Sequence, residues 1–216
     1  MIAIVDYDAG NLRSVEKALE YLGEKPLVTR DRQMILSADH VILPGVGAFG
    51  DAMEKLRQYE LVGVLREVAG RGIPLLGICL GLQLLFEESE ESPGVEGLGI
   101  CRGRIWRIPD DRGRKVPHMG WNSLAYGDGG RQETSAENGN RGTGSLFRGI
   151  PERSYVYFVH SYYLKAEDPG IVTASTEYVT HIHASIEQEN VFACQFHPEK
   201  SGGTGLAILK NFISVK

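Results

Sequence analysis

The chain lacks the marks of a disulfide scaffold, a membrane protein and a binder of polyanions. Its 216 residues hold only three cysteines, an odd count and too few to staple a secreted fold, so a reducing, cytoplasmic setting is expected. No apolar stretch approaches the ~20 residues of a spanning helix. The N-terminus goes straight into a strand pattern with no signal-peptide composition. A net charge of −5 at pH 7 argues against nucleic acid and anionic membrane as partners. Internal repeats are also missing. What remains is a chain 42% hydrophobic, long enough to bury one substantial core, and residues 1–216 are expected to form a single domain.

The hydrophobic pattern is that of an α/β protein. Ile2-Ala3-Ile4-Val5 reads as a strand buried on both faces, followed by Leu12, Val15, Leu19 and Leu22 at helical spacing and a stop at Gly23. Short strands are expected at Pro26 to Thr29 and His40 to Leu43, and helices at Ala48 to Lys55 and Tyr59 to Ala69. From Ile100 the period changes. Arg104 to Ile108, Tyr155 to Val159, Ile171 to Ser175 and His183 to Glu187 alternate, which predicts antiparallel or mixed sheet. A closing helix is expected from about Gly205, with Leu206, Leu209 and Phe212 on one side.

The most informative run is Gly77-Ile78-Cys79-Leu80-Gly81-Leu82-Gln83, after the apolar Ile73-Pro74-Leu75-Leu76. It predicts a strand, an elbow and a helix that lift a cysteine nucleophile above a parallel sheet. Side chains at Gly77 or Gly81 would collide across so tight a turn. A helix beginning at Cys79 would also favour thiolate through its dipole. A buried packing cysteine is the plain alternative for this run alone.

A partner for that thiolate stands near the other end, in Val191-Phe192-Ala193-Cys194-Gln195-Phe196-His197-Pro198-Glu199. The first six residues read as a strand, and Pro198 keeps His197 out of helical geometry. In extended backbone Glu199 would share a side with His197, orient its ring and stabilise its cation. A third segment, Val41-Ile42-Leu43 followed by Pro44-Gly45-Val46-Gly47-Ala48-Phe49-Gly50, reads as a strand and a glycine-rich loop. Its backbone N–H groups, with that of Leu80, would suit an oxyanion hole. A phosphate loop is the competing functional reading, although the Lys-Ser/Thr ending is missing. A plain strand-to-helix turn also remains open.

Together these three segments resemble the class I, triad-type glutamine amidotransferases, whose marks are an oxyanion loop, a G-x-C-x-G elbow and a terminal His-Pro-Glu. The resemblance extends through Asp6 to Val15, Pro117-His118-Met119-Gly120-Trp121-Asn122, Tyr157-Phe158-Val159-His160-Ser161-Tyr162 and Phe196 to Ser201. These segments are similar to one branch of the family, the glutaminase subunits that feed ammonia to a cyclase. The resemblance implies a mostly parallel central sheet flanked by helices, a nucleophile elbow and an additional antiparallel portion. It implies Cys79, His197 and Glu199 as catalytic residues, Val46 and Leu80 as oxyanion donors, and Gly47, Gln83, Ser161 and Tyr162 as holders of substrate glutamine. It further implies a heterodimer with a (β/α)8-barrel cyclase, docked through Asn11, Met119, Trp121 and Lys200. Trp121 reads equally well as a core residue. Gly45 and Gly47 would let the peptide at Val46 rotate, keeping hydrolysis off until partner and acceptor bind. A subunit serving another synthase would share the triad, but Pro117–Asn122 and Leu82 argue against it. A stand-alone thiol hydrolase would need no partner, and a non-catalytic module would not need the triad.

Ala125 to Ser145 departs from the family pattern, polar and glycine-heavy where relatives have a shorter connection, and is expected to be a mobile surface insertion. His181 and His183 could share a strand face, but no further ligands accompany them at zinc spacing. They read as solvated strand histidines, and no metal or cofactor is expected. His118 and His160 flank the expected partner surface and substrate strand. Cys101 and Cys194 sit among apolar neighbours and read as packing residues.

Overall fold

The computed structural model describes residues 1–127 and 144–216. Its first half alternates strand and helix: β1 (Ile2–Val5), α1 (Leu12–Tyr21), β2 (Leu27–Thr29), α2 (Arg32–Leu36), β3 (His40–Gly45), α3 (Phe49–Gln58), α4 (Leu61–Gly70), β4 (Leu75–Cys79) and α5 (Leu80–Leu84). The second half is mostly strand: β5 (Glu88–Ser89), β6 (Gly103–Arg107), β7 (His118–Ser123), β8 (Ala125–Tyr126), β9 (Tyr155–His160), β10 (Tyr162–Ala166), β11 (Val172–Tyr178), β12 (Thr180–Gln188) and β13 (Val191–Cys194), before α6 (Gly202–Ile213).

The main sheet runs β2-β1-β3-β4-β13-β12-β10-β6-β5, with β11 paired to β12 and β8 paired to β11. From β2 to β13 the neighbours are parallel; β12 turns antiparallel to β13, and β10 to β12 and β6. β7 and β9 form a separate antiparallel pair. The inner parallel strands β1, β4 and β13 carry no polar side chain besides cysteine because both their faces are covered, whereas the edge strand β2 is half-buried. Ala3 and Val5 of β1 join Phe49, Met53, Leu65 and Val68 on one face, while Ile2 and Ile4 join Val15, Leu19, Leu209 and Phe212 on the other.

Several elements differ from expectation for local reasons. β13 ends at Cys194, two residues early, because the chain turns toward the site. Helix α2 went unread; at five residues it shows little periodicity, and its start is fixed by the Asp31 carboxylate accepting the Met34 N–H at 2.9 Å. β7 was hidden by Gly120 and Asn122, poor strand formers. Of the expected insertion, residues 128–143 lie outside the described residues. Its flanks are built into the fold: Ala125 and Tyr126 pair with Ser175 and Ala174, and the Ser145 hydroxyl donates to Glu187 at 2.8 Å.

The sheet order puts β3, β4 and β13 side by side and parallel, with Gly45 opposite Cys79 and Cys194 opposite Ile78. The three segments singled out in the sequence therefore leave the same carboxyl edge, where open α/β sheets place their sites.

Candidate active site

Cys79 has φ 55° and ψ −109°, a left-handed conformation unusual for a residue with a side chain. The two flanking glycines make room in different ways. A Cβ on Gly77 would lie 2.8 Å from the Gly81 carbonyl oxygen, across the turn as expected, whereas one on Gly81 would overlap the Leu43 carbonyl of β3. The elbow is thus locked against the neighbouring strand as well as against itself. Helix α5 is only five residues long, so its dipole is a minor support for thiolate and the side chains around the sulfur matter more.

His197 provides the main one. Its backbone is extended (φ −100°, ψ 97°), but Pro198–Lys200 then forms a 3₁₀ turn. The turn, rather than the extended run expected, folds Glu199 back so that His197 Nδ1–H donates to Glu199 Oε1 at 2.8 Å, with both side chains fully buried. Because the carboxylate can only accept, the tautomer is fixed and Nε2 is left facing the site; Nε2 is buried and makes no hydrogen bond. Burial is the largest single influence on His197 and opposes its charge. The Cys79 sulfur and the Glu199 carboxylate together outweigh it and push the imidazole pKa up to about 10.

A cavity of about 340 Å³ opens onto these groups, lined among others by Val46, Gly47, Cys79, Leu80, Gln83, Ser161, Tyr162 and His197. The fold thereby gathers every residue expected to bind substrate or oxyanion around the sulfur and imidazole. Glu199 lies behind His197, away from this cavity. Gly47 has φ +103°, a backbone conformation that favours glycine, and a Cβ there would meet no atom within 4 Å. Gly45 is glycine for another reason: a Cβ would run into the Tyr7 hydroxyl and approach Leu80 Cβ to 2.9 Å. The Tyr7 hydroxyl donates to the Pro44 carbonyl at 2.7 Å, and burial, then the nearby Cys79, push its phenol pKa up.

Two site residues escaped the sequence reading. Glu91 lines the cavity and accepts the Phe49 N–H at 2.8 Å; partial burial raises its carboxyl pKa. It comes from a loop with no pattern of its own, and only its acidity stood out as a signal. Gln195 is fully buried beside Cys79, and its Nε2 lies 3.8 Å from the sulfur. Its place directly before Phe196-His197 was the only hint.

The residues expected at a partner surface divide. Met119 and Trp121 are 64% and 55% exposed on β7, so Trp121 is a surface residue and no part of the core. Lys200 is exposed and lines a second cavity with Arg13, Lys17 and Glu199. Asn11 is buried, and its Nδ2 donates to Glu199 Oε1 at 3.3 Å, supporting the carboxylate from below. His118 and His160 are buried and joined, Nδ1 to Nε2 at 3.0 Å. His183 Nδ1 accepts the Ala166 N–H at 3.1 Å and His181 pairs with Glu177, so both tie elements of the sheet rather than simply meeting water. Cys101 and Cys194 are buried with raised thiol pKa values; burial pushes Cys101 up to about 12. Among the described residues no three His, Cys, Asp or Glu side chains group to hold a metal, and no helix is long and apolar enough to cross a membrane.

Comparison with known proteins agrees with this architecture. The family profile for glutamine amidotransferase class-I matches residues 3–215. The chain is 52% identical over 211 residues to the imidazole glycerol phosphate synthase subunit HisH of Moorella thermoacetica, covering 98% of this chain and 93% of that one. It is 48% identical to the subunit of the same name from Thermosynechococcus vestitus, covering 99% and 96%. Among solved structures, a glutamine amidotransferase matches with a TM-score of 0.72 at 20% identity, covering 99% and 97% of the two chains. PurLQS from Thermotoga maritima matches with a TM-score of 0.70 at 21% identity, covering 98% and 96%, a likeness of fold.

Proposed function

The chain belongs to the class-I glutamine amidotransferases, and from that premise we propose that it is the glutaminase subunit of an imidazole glycerol phosphate synthase, in histidine biosynthesis. The whole chain, residues 1–216, works as one cytoplasmic domain paired with a (β/α)8-barrel cyclase. The observation that carries the chemistry is the strained Cys79 elbow opening onto the same cavity as the His197–Glu199 pair.

The reaction uses these groups in order. Cys79 thiolate attacks the side-chain amide carbon of glutamine; a C–S bond forms and the carbonyl electrons move onto oxygen. The N–H groups of Val46 and Leu80 receive that oxyanion. His197, charged by its two neighbours, gives its Nε2 proton to the leaving nitrogen, and the C–N bond breaks to release ammonia and a glutamyl thioester. Neutral His197 then takes a proton from water as the oxygen attacks the thioester carbon. Glutamate departs and the sulfur leaves as thiolate. Glu199 holds the ring throughout and stays ionised. Gly47, Gln83, Ser161 and Tyr162 hold the substrate, and the Glu91 carboxylate suits its ammonium group.

Free ammonia would be protonated in water, so its product is handed directly to the cyclase. Met119 and Trp121, two large apolar side chains side by side in the open, suit a docking face. Lys200 adds a charge beside the triad, and Asn11 acts from beneath through Glu199. The peptide at Val46, free to turn at Gly47, gates the oxyanion hole until the partner docks. Glutamate release by the chain with its cyclase tests the chemistry: Cys79→Ala abolishes turnover while still forming the complex. A Cys79→Ala complex that hydrolyses glutamine at the wild-type rate would overturn it.

A further inference from the structure

The Cys79 sulfur has a hydrogen-bond donor that the steps above leave unused. Gln195 Nε2 lies 3.8 Å from Sγ, and the residue is fully buried. Amide oxygen and nitrogen are alike in shape, so which end faces the sulfur must follow from the partners. Here they leave one choice. The Tyr162 carbonyl can only accept, and it lies 3.0 Å from Gln83 Nε2, which fixes that end of Gln83 as the donor. The same Nε2 lies 3.1 Å from Gln195 Oε1, which therefore accepts. The remaining end of Gln195, its NH₂, must then face Cys79.

The far side of the same carbonyl is fixed in the same sense. Asn122 Nδ2 donates to the Glu177 carbonyl at 3.1 Å and faces His118 Nε2 at 3.5 Å, making that ring nitrogen an acceptor. His118 Nδ1–H then donates to His160 Nε2 at 3.0 Å, and His160 Nδ1–H to the Tyr162 carbonyl at 2.9 Å. Burial, the largest influence on both rings, keeps them neutral, lowering the pKa of His118 to about 4 and that of His160 to about 3. Two donors thus converge on one carbonyl, and neither chain of bonds can reverse without leaving a buried group unpaired.

We propose that Gln195 is a positioning residue for the nucleophile, its carboxamide locked by Gln83 and Tyr162 so that an N–H is permanently aimed at the Cys79 thiolate. The proposal rests on Cys79 as the nucleophile. A thiolate accepts this bond better than a thiol or a thioester sulfur does. The donor therefore favours the ionised nucleophile and its return as leaving group in the second half of the reaction. The other titratable groups facing the sulfur are His197 with Glu199 behind it, Tyr7 and Cys194, and the Val159 carbonyl lies 4.0 Å from Sγ. Burial keeps Tyr7 and Cys194 uncharged, and none of the four is altered in the test.

The test reads the sulfur itself. The full chain and its Gln195→Leu variant are alkylated with iodoacetamide from about pH 5 to about pH 10, and the Cys79 peptide is followed by mass spectrometry. The expected result is a profile displaced to higher pH, with alkylation about tenfold slower near neutrality. Because a lone leucine leaves one N–H of Gln83 without its partner, the double variant Gln83→Leu/Gln195→Leu, which removes both amides, is measured alongside and shows the same displacement. Profiles that superimpose on wild type in either folded variant overturn the proposal. Alkylation needs no glutamine, so turnover persisting in Cys79→Ala would sink the glutaminase reading by itself.

Discussion

The elbow at Cys79 and the loop at Val46 lie on adjacent strands and open onto one cavity, yet they are built in opposite ways. Around the elbow the backbone is crowded: Gly77 and Gly81 leave no space for a methyl group, and Cys79 is only 6% exposed. Just past Gly45 the loop is open to solvent, with Val46 38% exposed and no atom within 4 Å of a Cβ at Gly47. The proposed nucleophile and base therefore sit in crowded surroundings, while the proposed oxyanion donor, Val46, lies on the exposed loop beside Gly47. A crowded nucleophile beside an exposed donor loop is the arrangement that the proposed gated glutaminase requires, since a peptide turning at Val46 would leave the triad in place.

The sharpest way to break this contrast is a methyl group on each side. Gly81→Ala drives a Cβ into the Leu43 carbonyl and is expected to cost about 3 kcal/mol or more in denaturant unfolding. Gly47→Ala meets no atom and costs only the strain of its positive φ, about 1 kcal/mol. Its effect should instead appear in turnover, measured with the cyclase present. Equal stability losses at the two sites would erase the distinction.

Glu199→Gln tests whether the base is preset by its carboxylate. It should lower kcat by about 10²-fold or more with little change in KM, because the His197 ring loses the partner that fixes its tautomer. Glu91→Gln should do the reverse, raising KM for glutamine about tenfold with kcat little changed. Steady-state kinetics of the assembled enzyme separate the two.

A smaller effect is expected in the pH dependence of stability. His197 has its pKa raised to about 10, so the folded chain holds this proton more tightly than the unfolded chain. Its contribution is whole below the ordinary histidine value of 6.5 and is lost as pH rises through about 10. His118 and His160 act in the opposite sense: their lowered values mean that stability falls as pH drops from 6.5 toward about 4 for His118 and about 3 for His160. Melting temperatures of wild type and His197→Gln should therefore converge at the alkaline end only.

The layout of the candidate site was legible in the sequence where it depends on local crowding and short spacing. Gly77 and Gly81 around Cys79, and Pro198 between His197 and Glu199, carry their reasons in neighbouring residues. The inner parallel strands β1 and β4 were legible for a similar reason, since strands covered on both faces are apolar. Gln195, Glu91 and the His118–His160 pair were not legible. Each owes its role to contacts across tens of residues, such as Gln83 with Gln195, that no periodicity records. Strand β7 was missed because its pairing with β9 overrides the weak propensity of Gly120 and Asn122. Asn11 was placed at a surface by resemblance, and packing against Glu199 turned its side chain inward.

The most direct test of a preset triad beside a movable oxyanion donor is glutamate release by the purified chain, alone and then with the cyclase and its nucleotide substrate. The account predicts weak turnover alone and strong stimulation on assembly, with Cys79 alkylation by iodoacetamide little changed between the two states once steric cover is allowed for by reagent size. Full turnover by the isolated chain, with no response to the cyclase, would contradict it.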